Sequence, residues 1–152
     1  MPKEILIWVL VDERPGTGKQ ALAVAESLKL PFVVKKMTWL CWANLPSQLS
    51  QLSKLSISKE SRERLCPPWP EMIISSGRRA AAIAINIKKK NVPNCKLVQI
   101  MDPGAFAHKN FSLIAIPKHD QFREEKENIL RIIGAPSFID DKEINNAKIY
   151  WK

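Results

Sequence analysis

Glu4-Ile5-Leu6-Ile7-Trp8-Val9-Leu10-Val11 runs without a break into Asp12-Glu13-Arg14-Pro15-Gly16-Thr17-Gly18-Lys19-Gln20. After its first residue the run is continuously apolar. It does not alternate, which marks a strand buried on both faces of a parallel sheet. The turn that follows is centred on glycine and leads into 17–28, where Ala21, Leu22, Val24, Ala25 and Leu28 fall near helical spacing. A strand, a tight turn and a helix N-terminus together form a site for anions or substrates at the strand's carboxyl end.

The same unit recurs. Met72-Ile73-Ile74 is apolar, Ser75-Ser76-Gly77-Arg78-Arg79 turns, and 79–90 is an Ala/Ile-rich helix. Between the two units, 31–35 reads as a short strand. The segment 37–55 carries an apolar face of Met37, Trp39, Leu40, Trp42, Leu45, Leu49 and Leu52, with Pro46 opening a new helix. Ser58 is placed to cap a helical turn over 58–65, and Cys66-Pro67-Pro68-Trp69-Pro70 is a rigid connector. Two further strands follow, at 96–101 and 112–116. Strands alternating with helices predict an α/β fold: a three-layer sandwich on a mainly parallel, Rossmann-like sheet of about five strands. The strands are expected near 4–11, 32–35, 72–75, 96–101 and 112–116. Residues 1–138 are read as one domain. Asp140, with Glu143 three residues on, starts a last helix, so 139–152 reads as a linker toward a second domain.

Composition narrows the function classes. Hydrophobic residues make up 45% and charged residues 26%, the balance of a soluble globular domain. No apolar stretch approaches the roughly 20 residues of a membrane span, and Met1-Pro2-Lys3-Glu4 does not open a signal peptide. The expected location is cytoplasmic. Cys41, Cys66 and Cys95 form no CxxC pair; neither a metal site nor a disulfide framework is indicated, and idle thiols in a reducing compartment fit. The net charge is +9, and from Lys118 onward basic and acidic residues balance at seven each, so 1–117 carries the excess. That favours an anionic ligand or membrane surface. Nucleic acid is disfavoured: Lys outnumbers Arg 17 to 7, and stacking motifs and Arg-rich arms are missing.

Two nucleotide motifs fail. A P-loop needs Gly, four residues, then Gly-Lys-Ser/Thr, but Glu13 holds the first position and Gln20 the last. A dinucleotide fingerprint would place its third glycine at Ala21, and Pro15 does not suit that turn. No cofactor is expected. Asp12 is a candidate general base, and His119 with Asp120 a candidate acid/base pair. The structural alternatives are that Asp12 caps the following helix and that His119-Asp120 caps the turn at Gln121. Gly77-Arg78-Arg79 suits a phosphate or carboxylate; the alternative is that Gly77 only permits the turn. Trp39, Leu40, Trp42 and Leu45, beside Lys35 and Lys36, read as a packing face, with a peripheral membrane contact as the alternative.

Five motifs occur in order: Asp12-x-Arg14-Pro15-Gly16-x-x-x-Gln20-Ala21, Ser76-Gly77-Arg78-Arg79, Gln99-Ile100-x-Asp102-Pro103, Pro117-x-His119-Asp120 and Gly134-Ala135. Together they resemble the mitochondrial-fission ELM-like family of alphaproteobacteria and plants, which is akin to the GT-B glycosyltransferase-type proteins. Gly104 stands where the family pattern has Arg. The resemblance implies two Rossmann-like halves, of which this chain matches the first, the acceptor side. It implies a glycosyltransferase-like protein that is inactive without a second Rossmann half supplied in trans. A non-catalytic interaction module and a folded remnant of a split gene are the alternatives. The two glycine turns are expected side by side, bringing Arg14, Gly16, Gly77, Arg78 and Asp102 to one crevice. The motifs add Gln20 and Arg79 to the ligand-binding set.

Overall fold

The computed structural model describes residues 5–40, 56–122, 126–138 and 141–151. Six strands form one sheet: β1 (Ile7–Asp12), β2 (Phe32–Met37), β3 (Met72–Ser76), β4 (Lys96–Ile100), β5 (Leu113–Pro117) and β6 (Ile129–Ile132). Their order is β2-β1-β3-β4-β5-β6, and every pairing is parallel. The helices are α1 (Pro15–Ser27), α2 (Lys59–Glu63), α3 (Gly77–Lys90) and α4 (Asp141–Tyr150), with a 3-10 helix at Ala105–Asn110. The expected α/β fold is present, with six strands in place of about five.

The lack of alternation in β1 is explained by a core on each face. Trp8 and Leu10 join Ile73, Leu97, Ile114 and Ile116 under α3, whose Ala80, Ala81, Ile83, Ala84 and Ile87 are buried. Ile7 and Val9 join Ile74 and Ile100 under Ala21 and Ala25 of α1. Full burial of each large aliphatic side chain is worth roughly 1.5–3 kcal/mol. Lys88, Lys89 and Lys90 occupy the last turn of α3, where their charge meets the negative end of the helix dipole.

Several local expectations change. α1 begins at Pro15, not at residue 17, and neither Gly16 nor Gly18 makes the turn. Proline at the first helical position forfeits no hydrogen bond, because that amide has no partner in the helix. Gly18 serves packing instead: a Cβ there would lie 2.8 Å from Val11 Cγ1 and 3.0 Å from the Asp12 carbonyl oxygen. β2 extends to Met37, which is buried in the sheet rather than starting a helix. Trp39 then bridges antiparallel to Ile57 and packs against the core, so it takes the packing reading. Trp42, Leu45, Pro46, Leu49 and Leu52 lie outside the described residues, as do Cys41 and the expected cap Asp140. Ser58 caps α2 as expected, its Oγ accepting from the Ser61 amide at 3.2 Å. Cys66 and Cys95 are free thiols. Burial pushes the Cys95 thiol up to about 11 against the opposing pull of Lys88. Among the described residues no helix is long and apolar enough to cross a membrane.

The two glycines of α1 separate by experiment. Gly18→Ala is expected to destabilise the protein by about 1–3 kcal/mol through overpacking. Gly16→Ala, whose Cβ would meet nothing within 4 Å, is expected to be neutral or to stabilise by up to about 0.5–1 kcal/mol. Urea denaturation midpoints check both.

Candidate functional site

The chain leaves β1 toward β2 on one side and continues from β3 toward β6 on the other. The order reverses between β1 and β3, and in parallel sheets ligands collect outside the strand carboxyl ends at such a point. β1 ends at Asp12 and β3 at Ser76, both buried. Gly77 opens α3 at φ +78°, and a Cβ on it would sit 3.2 Å from Thr17 Cγ2. The first turn of α1 and the first residue of α3 are therefore neighbours, so the two turns lie side by side as expected.

The β1 side is held by short-range bonds. Asp12 Oδ1 accepts the Arg14 amide at 3.0 Å, so this carboxylate holds the turn; it does not cap α1, whose N-cap position is Arg14 and has no side-chain cap bond. Thr17 Oγ1 and the Gly18 amide both donate to the Arg14 carbonyl at 3.2 Å. Arg14 and Gly16 are exposed and Gln20 is half-buried. Ser76 shares its strand face with Ile74, on the α1 side, and is 2% exposed. It holds the N-cap position of α3 but makes no side-chain cap bond. Ser76 Oγ and Gln20 Oε1 are buried atoms without a hydrogen-bond partner among the described residues.

The other face of β3 is tied to β4 by Gln99, which is fully buried. Ser75 Oγ donates to Gln99 Oε1 at 2.6 Å, and Gln99 Nε2 donates to the carbonyls of Gly77 at 3.1 Å and Ile100 at 3.0 Å. Past β4 the chain turns through Met101 and Gly104, at φ +68° and +99°. Between them Asp102 Oδ1 accepts two hydrogen bonds, from the Gly104 amide at 2.9 Å and from His108 Nε2 at 2.7 Å. His108 is 2% exposed, lies edge-on to Phe122, and has Lys126 Nζ at 3.2 Å from Nδ1. An ammonium can only donate, so Nδ1 carries the lone pair and Nε2 carries the proton given to Asp102. Burial alone would raise the Asp102 carboxyl. The His108 and Gly104 hydrogen bonds, with the electrostatic pull of the His108 N–H and of Arg78, outweigh it and hold the carboxyl below its ordinary value. Asp102 stands two residues past the end of β4, the strand paired with β3.

Three expected site residues go elsewhere. The Arg79 guanidinium lies over the Trp39 ring at 5.6 Å, on the packing side. His119 and Asp120 follow β5, two strands from β3, or about 10 Å across the sheet. Their side chains are 68% and 38% exposed and 3.6 Å apart. The Asp120 carbonyl accepts from Arg131 at 2.9 Å and its amide donates to the Pro117 carbonyl, a turn role. The imidazole that is bonded to a carboxylate at the crevice belongs to His108. Sequence reasoning missed it; the available signal was Asp102-Pro103-Gly104, a turn that returns the next helical segment onto Asp102. An open depression of about 350 Å³ is lined by Ala105, Phe106, Lys109, Asn128, His108 and Lys126.

The lowered carboxyl has a stability consequence. A carboxylate with a depressed folded value contributes stability that is present above its unfolded value, about 3.9, and lost as pH falls through the folded one. Asp102→Asn is expected to lower the urea midpoint at neutral pH, with the gap to the parent closing below about pH 4. Midpoints measured from acid to neutral pH check the sign.

The model of the family described as Mitochondrial fission ELM1 matches residues 15–152. An uncharacterized protein of Rickettsia prowazekii (strain Madrid E) is 37% identical over 115 residues, which are 75% of this chain and 32% of that protein. The chain thus spans about a third of the length of this relative. No solved structure matches it. The matched span takes in α1, the Ser76-Gly77-Arg78 turn, the Gln99–Asp102 segment and α4, and the chain belongs to the Mitochondrial fission ELM1 family.

Proposed function

We propose that the chain is the acceptor-side Rossmann-like half of a GT-B-type, glycosyltransferase-like protein, and that the crevice between α1 and α3 receives an anionic group. The observation that carries this reading is the contact between the first turns of α1 and α3 at the topological reversal. Gly77, Arg78 and the unpartnered hydroxyl of Ser76 lie at the N-terminus of α3. Unpaired helix amides and the helix dipole favour negative charge there. Arg14 and Arg78 are exposed around it, and the basic excess of residues 1–117 attracts anions from a distance.

The second Rossmann half is the proposed partner, supplied by the rest of a longer polypeptide or in trans, with α4 as the linker toward it. The chain alone binds but does not transfer. Asp12 is committed to its turn and His119 and Asp120 stand apart, so the residues proposed for binding are Arg14, Gly16, Gln20, Gly77, Arg78 and Asp102. A second reading, an interaction module without catalysis, has one observation in its favour: Ile149, Tyr150 and Trp151 at the end of α4 are 77%, 86% and 85% exposed. Apolar groups so exposed suit contact with another protein surface. Either reading places the chain in the cytoplasm.

Titration of the isotope-labelled chain with inorganic phosphate, followed by amide NMR, tests the anion site. Shifts are expected at Gly77 and Arg78. Gly77→Asp, which puts a carboxylate and a Cβ where the anion and the turn need space, is expected to abolish them. The purified chain is expected to show no turnover of a nucleotide sugar above an Asp12→Ala, Arg78→Ala control. Turnover by the parent chain, or unchanged phosphate shifts in the Gly77 variant, would contradict the proposal.

A further inference from the structure

Lys126, His108 and Asp102 form a hydrogen-bonded line that ends in the crevice. The carboxylate at its end is fixed. Among the described residues its two donors, the Gly104 amide and His108 Nε2, both bond to Oδ1. Oδ2 keeps its lone pairs, and the Asp102 side chain is 31% exposed. His108 is nearly fully buried, and its Nε2–H bond to Oδ1 holds that carboxylate in one orientation. Lys126 in turn fixes the imidazole tautomer, because Nδ1 can only accept from it.

We propose that Asp102 is the hydroxyl-recognising arm of the crevice, with His108 as its positioning residue, and that the ligand is a polyhydroxylated phosphate: a phosphate seated at Gly77 and Arg78, its hydroxyls donating to Asp102. This rests on the anion site proposed above and gives it a substrate class. The positions agree with it. Gln99 bonds the Gly77 carbonyl from β4, and Asp102 lies only two residues past the end of that strand. Neighbouring strands run about 4.8 Å apart, so one small molecule spans both groups. The alternatives for Asp102 are weaker. Its carboxyl is held below the ordinary value, which makes a poor proton acceptor and a good permanent anion. A ligand ammonium would have to enter beside Arg78, where like charges repel. A neutral hydroxyl has neither difficulty, and a hydrogen bond to a fixed carboxylate is among the stronger kinds.

The test compares ethyl phosphate, which has the anion and no hydroxyl, with glucose 1-phosphate, by NMR titration at one ionic strength. Glucose 1-phosphate is expected to bind about tenfold more tightly, the effect of one good charge-assisted hydrogen bond. Asp102→Asn is expected to bring the ratio close to one while ethyl phosphate binds as before. His108→Leu is expected to reduce the ratio, and His108→Gln, which keeps a donor, to restore part of it. A loss of fold in any variant shows in the amide spectrum. In that case Lys126→Met, at an exposed position, is expected to reduce the ratio in a folded chain. Equal affinity of the parent chain for the two phosphates, or a ratio that survives Asp102→Asn, overturns the inference and leaves the anion site standing. Failure of ethyl phosphate and inorganic phosphate to bind at all removes the anion site, and this inference with it.

Discussion

Gln99 has no access to water, so its amide must satisfy itself within the protein. It does so with three bonds, to Ser75, Gly77 and Ile100. These join the end of β3, the first residue of α3 and the end of β4 into one unit. The left-handed conformation of Gly77 points its carbonyl at Gln99, and the segment carrying Asp102 leaves β4 from that fixed point. An apolar residue at 99 would leave Ser75 Oγ to the weaker Val98 contact and the Gly77 carbonyl without this donor. A lost partner of this kind costs about 1–3 kcal/mol per buried group. The penalty would fall where the crevice needs definition.

Much of this architecture is legible in the chain. The unbroken apolar run of β1 demands cover on both faces, and the structure supplies α3 on one and α1 on the other. The strand–Gly–helix unit at Ser75 to Arg79 gives the position of α3 and the special backbone of Gly77. Other features resist reading for physical reasons. β6 is four residues long, sits at the sheet edge and is interrupted by Arg131, so its apolar run is too short to mark a strand. Gly16 and Gly18 look alike as letters, but only the packing of α1 on β1 shows that one is constrained and the other is not. His108 and Lys126 are 18 positions apart, and no local pattern announces a contact that depends on β5 being laid down between them. His119 and Asp120 misled because adjacency in sequence put two titratable groups side by side. At the sheet, they stand on the wrong strand.

Family membership and geometry constrain different things. The matched residues 15–152 fix the family, and the Rickettsia relative shows that chains of this kind extend to about three times the matched length. The geometry adds which residues do structural work within this domain. Gln99 and Asp12 are bound up in its internal hydrogen bonds, whereas Arg14 and Arg78 are exposed.

The contact between Thr17 and Gly77 also has a mechanical meaning. α1 cannot move inward, because Gly18 already rests against Val11 and the Asp12 carbonyl, and α3 is stopped by Thr17. That wall of the crevice has a set width. The opposite wall is the loop from Met101 to Gly104, which carries two left-handed residues, and a Cβ at Gly104 would meet nothing within 4 Å. The two walls therefore differ in free space: the helix wall is packed to contact, and the loop after β4 has open room beside Gly104 even though Asp102 within it is held by hydrogen bonds.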